Sequence, residues 1–144
     1  MAEAQQYCTF YVDEMHLGIE VLKVQEVLRY QKMTRVPLAS DVVSGLINLR
    51  GQIVTAIDLR KRLGLPPRKS DKRPMNVVIR SDDHAVSLLV DEIGDVMETT
   101  ADRFERPPQT LNGPSRELFR GVYKFEDSIL LVLDTERTLE MDGP

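Results

Sequence analysis

Few side chains in this chain have the type and spacing that chemistry requires. They fall into four groups: the histidines His16 and His84, the lone Cys8, the adjacent carboxylates Asp82-Asp83 and Asp91-Glu92, and the serines Ser44, Ser87 and Ser128. Metal binding needs ligands that converge, and no Cys/His/Asp cluster has that spacing. Each histidine instead sits beside an acidic turn, as a hairpin-tip residue would. Two carboxylates that share a substrate atom must face the same way, whereas neighbours on a strand point to opposite faces, so both acidic pairs read as surface charge. No serine has a histidine near it in sequence, and the chain contains no G-x-S-x-G elbow, Walker loop or G-x-G-x-x-G. The expectation is no catalytic residue, no metal and no cofactor.

One further polar group stands out by its position. Arg50 lies in Asn48-Leu49-Arg50-Gly51, between the apolar runs Leu46 to Leu49 and Ile53 to Ile57. Runs of that length joined by a glycine-containing turn predict a β-hairpin. Period-2 alternation puts Ile47 and Leu49 on one face and Asn48 and Arg50 on the other, so the guanidinium is expected at a strand rim facing away from the core. Asp58 then caps a single helical turn, Leu59 to Leu63, which Gly64 and Pro66 end.

The same pattern occurs twice. Gly121 to Asp134 aligns without a gap on Gly45 to Asp58, and Leu139 answers Leu63. More loosely, Val77 to Ile79 resembles Phe10 to Val12, His84 resembles His16, and Val90-Asp91-Glu92-Ile93 resembles Val24-Gln25-Glu26-Val27. An internal duplication of two all-β units follows, with units at 1–67 and 68–144 and strand exchange between them left open.

A chain of 144 residues gives each half too little mass to be very stable alone, so the halves should pack together around a shared groove. The formal charge of −4 disfavours nucleic acid and anionic membrane surfaces, which reward a basic field. A single cysteine excludes an intrachain disulfide and fits a reducing compartment, and no apolar run reaches the length of a membrane span. MAEAQQ at the start has no signal-peptide character, so a soluble cytoplasmic protein without direct membrane insertion is expected. The basic stretch from Arg60 to Arg73, with Asp71 its one acid, reads as a solvated linker because no aromatic residue interrupts it. Val21, Val24 and Leu28 have helical spacing, so a wound turn is expected near Glu20 to Glu26, then an extended run to Val36. Gly94 predicts a kink in an irregular strand, and the proline- and glycine-rich Thr100 to Glu117 an exposed loop.

Gly45-Leu46-Ile47-Asn48-Leu49-Arg50-Gly51, followed by Ile53-Val54 and Ile57-Asp58-Leu59-Arg60, resembles the signature of the CheW family, the adaptor proteins of bacterial chemotaxis. Three further blocks fit in order: Gly18-Ile19 with Leu22 to Val27, Leu89-Val90-Asp91 with Gly94-Asp95-Val96, and Gly121 with Ile129 to Asp134. The resemblance runs from about Gln6 to Leu139. It implies an all-β fold of two small five-stranded β-barrels packed side by side, with short capping helices, and a role without catalysis. It further implies two protein partners, the regulatory domain of a CheA-type histidine kinase and the cytoplasmic hairpin tip of methyl-accepting chemoreceptors. Position by position, the family's receptor groove falls on Val24, Gly45 and Arg50, with Val21 and Glu26 close by. The family often has proline where Thr55-Ala56 and Ala39-Ser40 stand here. Two alternatives stay open at this point: a similar adaptor in a pathway other than motility, and a small β-barrel module for a ligand or nucleic acid.

Overall fold

The computed structural model describes residues 4–67, 72–81, 84–107 and 114–140. Its strands are β1 (Ala4–Val12), β2 (Met15–Glu20), β3 (Val24–Leu28), β4 (Val43–Leu49), β5 (Gln52–Asp58), β6 (Met75–Ser81), β7 (His84–Val90), β8 (Glu92–Thr100), β9 (Phe104–Glu105), β10 (Phe119–Lys124) and β11 (Ile129–Leu133). Two short helices, α1 (Leu59–Arg62) and α2 (Thr135–Leu139), follow β5 and β11. The fold is all-β with short capping helices, as expected. Alternation does the work in each strand: on β4, Ile47 and Leu49 are buried and Asn48 between them is exposed.

The strands form two sheets. One has the order β8-β1-β2-β11-β10-β9 and the other β3-β6-β7-β5-β4. Each sheet takes the first hairpin of one repeat and the later strands of the other, so both draw on chain from either side of Arg68. The joins are parallel, with Leu17 opposite Leu131 in one sheet and Val86 opposite Thr55 in the other. In the first sheet, β8 and β9 are opposite edges yet are linked only by the 3-10 turn Ala101–Arg103. Six flat strands would hold their outer members about 24 Å apart. That short link spans less than about 15 Å, so the sheet has to curl.

The pairing register corrects how the repeats match in their first halves. Phe10 pairs with Leu17, which lies opposite Leu131, while Ile79 pairs with Val86, opposite Thr55. Thr55 and Leu131 correspond in the gapless match, so Phe10 corresponds to Ile79 and not to Val77. By the same register His16 corresponds to Ala85, and Val24 and Val27 to Ile93 and Val96. Short alternating apolar runs look alike when slid by a residue or two, and only hydrogen-bond register tells them apart.

Among the described residues, three apolar clusters hold this arrangement. The largest lies where the sheets meet and includes Phe10, Leu17, Ile19, Ile57, Ile79 and Leu88. A second fills the five-stranded sheet around Ile47, Val54 and Val78, and a third the six-stranded sheet around Tyr7, Tyr123, Leu130 and Val132. Inside the five-stranded sheet the buried Ser87 hydroxyl donates to Asn76 Oδ1 at 2.7 Å, and Asn76 Nδ2 donates to the Arg29 carbonyl at 3.0 Å. The chain leaving β3 is thereby pinned, and Thr34 then bridges to Leu46 on β4 with hydrogen bonds of 2.9 and 2.8 Å.

That crossing explains a glycine. A Cβ on Gly45 would lie 2.6 Å from the Thr34 carbonyl oxygen, and one on Gly121 would lie 2.5 Å from that of Glu105. Both glycines sit at equivalent irregularities of their hairpins. β9 thus plays in one sheet the part Thr34 plays in the other. It lies in the stretch expected to be an exposed loop, which also carries 3-10 turns at Ala101–Arg103 and Pro114–Leu118. A two-residue strand has no period to read; it forms because Phe104 packs on Tyr123, with ring centroids 5.0 Å apart. Residues 108–113 of that stretch lie outside the described residues.

Two arginines of the expected linker are structural. Arg62 donates from Nε to the Thr138 carbonyl (2.9 Å) and from Nη2 to those of Arg137 (2.7 Å) and Glu140 (3.0 Å), so α1 caps the end of α2. Arg60, with a side chain only 12% exposed, meets Asp91 at 3.2 Å and Asp13 at 3.3 Å and donates to the Pro66 carbonyl at 2.6 Å. Residues 68–71 of the linker lie outside the described residues.

Candidate functional site

Arg50 and Gly51 are the two loop residues of the β4–β5 hairpin, closing the pair Leu49–Gln52. Both have positive φ, 49° and 90°, the conformation in which a two-residue turn follows the twist of its strands. Asn48 Oδ1 accepts from the Gly51 N–H at 2.9 Å and stiffens the turn. Arg50 therefore sits on the hairpin tip, one step beyond the strand rim. A non-glycine residue at positive φ is strained, and such strain clusters where a side chain is being presented.

What the tip presents is a charge. Arg50 Nη2 donates to Glu26 Oε2, joining hairpin β4–β5 to β3 although these are opposite edges of the five-stranded sheet. The Glu26 side chain is 23% exposed and that of Arg50 68%, so the guanidinium keeps donors free on its outer side. The Arg50 hydrogen bond holds the Glu26 carboxyl below the ordinary glutamate range. Burial pushes the other way, and Gln25 Nε2 at 3.4 Å adds a smaller lowering.

Val24 opens β3 and packs partly buried against the core between the sheets, and Val21 precedes it in the 3-10 turn Val21–Lys23, also half-buried. The structure thus brings Glu26 and Arg50 into contact and sets Val21 and Val24 on the adjoining chain. Gly45 is buried, and the space over its backbone is taken by Met33 and Thr34. The groove reading singled out neither Leu22, 91% exposed beside Val21, nor the exposed Val27 on β3. The helical spacing of Val21, Val24 and Leu28 leaves Leu22 off their shared face, a signal that could have found it. Leu38 is wholly exposed at φ 66° in the loop before β4 and gave no sequence signal at all.

The other polar groups are placed in ways that suit structure. The His16 ring stacks on Tyr11 at 4.6 Å between centroids, and burial lowers its pKa. Cys8 lies half-buried on β1, His84 opens β7 on the surface, and Asp82-Asp83 lie outside the described residues. Among the described residues no three His, Cys, Asp or Glu side chains are grouped to hold a metal ion, and no helix is long and apolar enough to cross a membrane.

The two sheets share a common core, and the Arg50–Glu26 pair and the exposed Leu22 and Val27 lie on β3, the turn before it and the β4–β5 hairpin, an arrangement suited to contact with another protein. Comparison places it further. Residues 6–142 match the family model of the CheW-like domain, and the chain belongs to that family. It is 30% identical to a chemotaxis protein CheW of Bacillus subtilis over 139 residues, 96% of this chain and 89% of that one. Against a chemotaxis protein CheW of Klebsiella aerogenes it is 29% identical over 138 residues, 96% of this chain and 83% of that one. The crystal structure of the scaffolding protein TtCheW from Thermoanaerobacter tengcongensis superposes with a TM-score of 0.88 at 25% identity, covering 99% of this chain and 97% of that one. Family membership makes this chain a non-catalytic scaffold adaptor of the chemotaxis type.

Proposed function

We propose that this protein is the cytoplasmic adaptor that couples transmembrane chemoreceptors to a CheA-type histidine kinase. The Arg50–Glu26 pair carries the reading: a rigid hairpin tip holds a mostly exposed guanidinium against β3, beside half-buried Val21 and Val24 and the exposed Leu22. A receptor tip is a helical hairpin. It asks for an apolar floor for its side chains and a few polar groups to set register, and the free donors of Arg50 suit a carboxylate or the carbonyls at a helix end. Gly45 serves the site indirectly, by letting the chain at Thr34 cross β4 and fix the hairpin. The regulatory domain of the kinase is the second partner, bound elsewhere on the scaffold.

Receptor-bearing membranes and a CheA-type kinase provide the test. With the unaltered protein, receptor capture and stimulated autophosphorylation are expected. Arg50→Glu sets a carboxylate against Glu26 and should abolish both while circular dichroism stays unchanged. Undiminished capture by a folded Arg50→Glu protein would remove the groove assignment.

A further inference from the structure

Following the described strands in order, the chain passes from one sheet to the other twice. The turn Val21–Lys23 leads from β2 in the six-stranded sheet to β3 in the five-stranded one, and Asp91 leads back from β7 to β8. The offset that makes Val24 equivalent to Ile93 makes Leu22 the counterpart of Asp91. The two crossings are thus related by the repeat, and their side chains set them apart.

At Asp91 charge ties the sheets together. Arg60, on α1 after β5, donates from Nε to Asp91 Oδ1 at 3.3 Å and from Nη2 to Asp91 Oδ2 at 3.2 Å. The same Nη2 reaches Asp13 Oδ1 at 3.3 Å in the β1–β2 turn, and the Asp13 N–H donates to Asp91 Oδ2 at 2.6 Å. Lys72, on the chain entering β6, meets Glu92 on β8 at 3.5 Å. A two-pronged guanidinium contact fixes direction as well as distance, and the Arg60 and Asp91 side chains are largely shielded from water. Arg62, on the same helix as Arg60, adds its bonds to the end of α2.

The crossing at Val21–Lys23 is built differently. Its turn holds no buried residue, and Leu22 stands exposed where the other crossing has Asp91. Glu136 on α2 takes the position of Arg60 on α1 and is also exposed, while Asp82, the counterpart of Asp13, lies outside the described residues. Among the described residues, the ion pairs on either side of the turn, Glu20–Arg120 and Glu26–Arg50, each link strands of a single sheet. Between the crossings the sheets share apolar contacts, which resist separation but are not directional.

We infer that the two sheets are hinged, with the Arg60 clasp at Asp91 as the pivot and the Val21–Lys23 crossing as the side that opens. Val21 and Val24 border that crossing and are half-buried as the structure stands, so opening there uncovers them. The hinge is a property of the chain alone; its control of receptor capture rests on the receptor reading above.

Backbone relaxation dispersion on the full chain tests the hinge. Exchange on the microsecond-to-millisecond scale is expected at Val21, Leu22 and Val24 and not at Asp13 or Asp91. Leu22→Asp combined with Glu136→Arg builds the missing clasp and should suppress that exchange. Arg60→Gln should spread it to Asp13 and Asp91; if circular dichroism shows this variant unfolded, the double variant decides. With receptor-bearing membranes, the double variant should be captured at least about fivefold more weakly than its two single variants together account for. The hinge is overturned by no exchange at residues 21–24, by equal exchange at Asp91 in the unaltered protein, by undiminished exchange in the double variant, or by a folded Arg60→Gln in which Asp13 and Asp91 stay quiet. Suppressed exchange with merely additive capture would overturn the control of capture and leave the receptor site standing. Undiminished capture by Arg50→Glu would instead remove that site and leave the hinge.

Discussion

Arg50 and Glu26 act on one another before either meets a partner. Because the hydrogen bond lowers the pKa of Glu26, the pair is intact above the ordinary glutamate range and is lost as pH falls through the lowered value. Acid should therefore release the hairpin tip, whereas changes around neutrality should leave it alone. A carbon-detected NMR titration of the Glu26 side chain is expected to show a midpoint below the ordinary value, and Arg50→Ala should bring it back up. An unchanged midpoint in Arg50→Ala would mean that the contact is not formed in solution. Arg60 was harder to read. Within a basic stretch it looked like one more solvated charge, and nothing local in the sequence told that its partners would be Asp13 and Asp91.

Hairpins are the working elements of this molecule, and their glycines are set by what crosses them. Gly45→Ala and Gly121→Ala each place a methyl against main chain that cannot move aside, at Thr34 and Glu105. Each is expected to cost about 1–3 kcal/mol, measured by denaturant unfolding. The Gly45 variant should also weaken receptor capture, because Thr34 helps fix the Arg50 hairpin. Much of this level could be read directly: the two-run pattern around Arg50-Gly51, the Asp58 and Asp134 caps, which accept from Lys61 N–H at 3.3 Å and Arg137 N–H at 3.1 Å, and the break at Gly94, where a Cβ would meet Thr9 Oγ1 at 2.5 Å. The candidate site was legible as far as its residues sit in one contiguous motif. The facing of Glu26 by Arg50 depends on how two sheet edges meet, and the role of β9 depends on a contact with Tyr123, so neither has a local signature.

At the scale of the molecule, the largest core belongs to neither repeat. Leu88 is fully buried in it, on a strand of the second repeat that pairs with β5 of the first. Leu88→Ala is expected to cost about 2–5 kcal/mol and to lower a single cooperative transition, with no partial one appearing. Fragments 1–67 and 68–144 should each be unfolded alone and regain the native circular dichroism spectrum when mixed. A cooperative transition from fragment 1–67 by itself would contradict that.

The reciprocal loan of hairpins also constrains how such a chain can change. Two copies joined end to end can lose one and survive; two copies that have each given away their opening strands cannot, because either loss strips both sheets. Divergence is then the only freedom left. One hairpin can keep Arg50-Gly51 at its turn while the other comes to carry Glu126-Asp127, and a single polypeptide offers two unlike faces from one ancestral design.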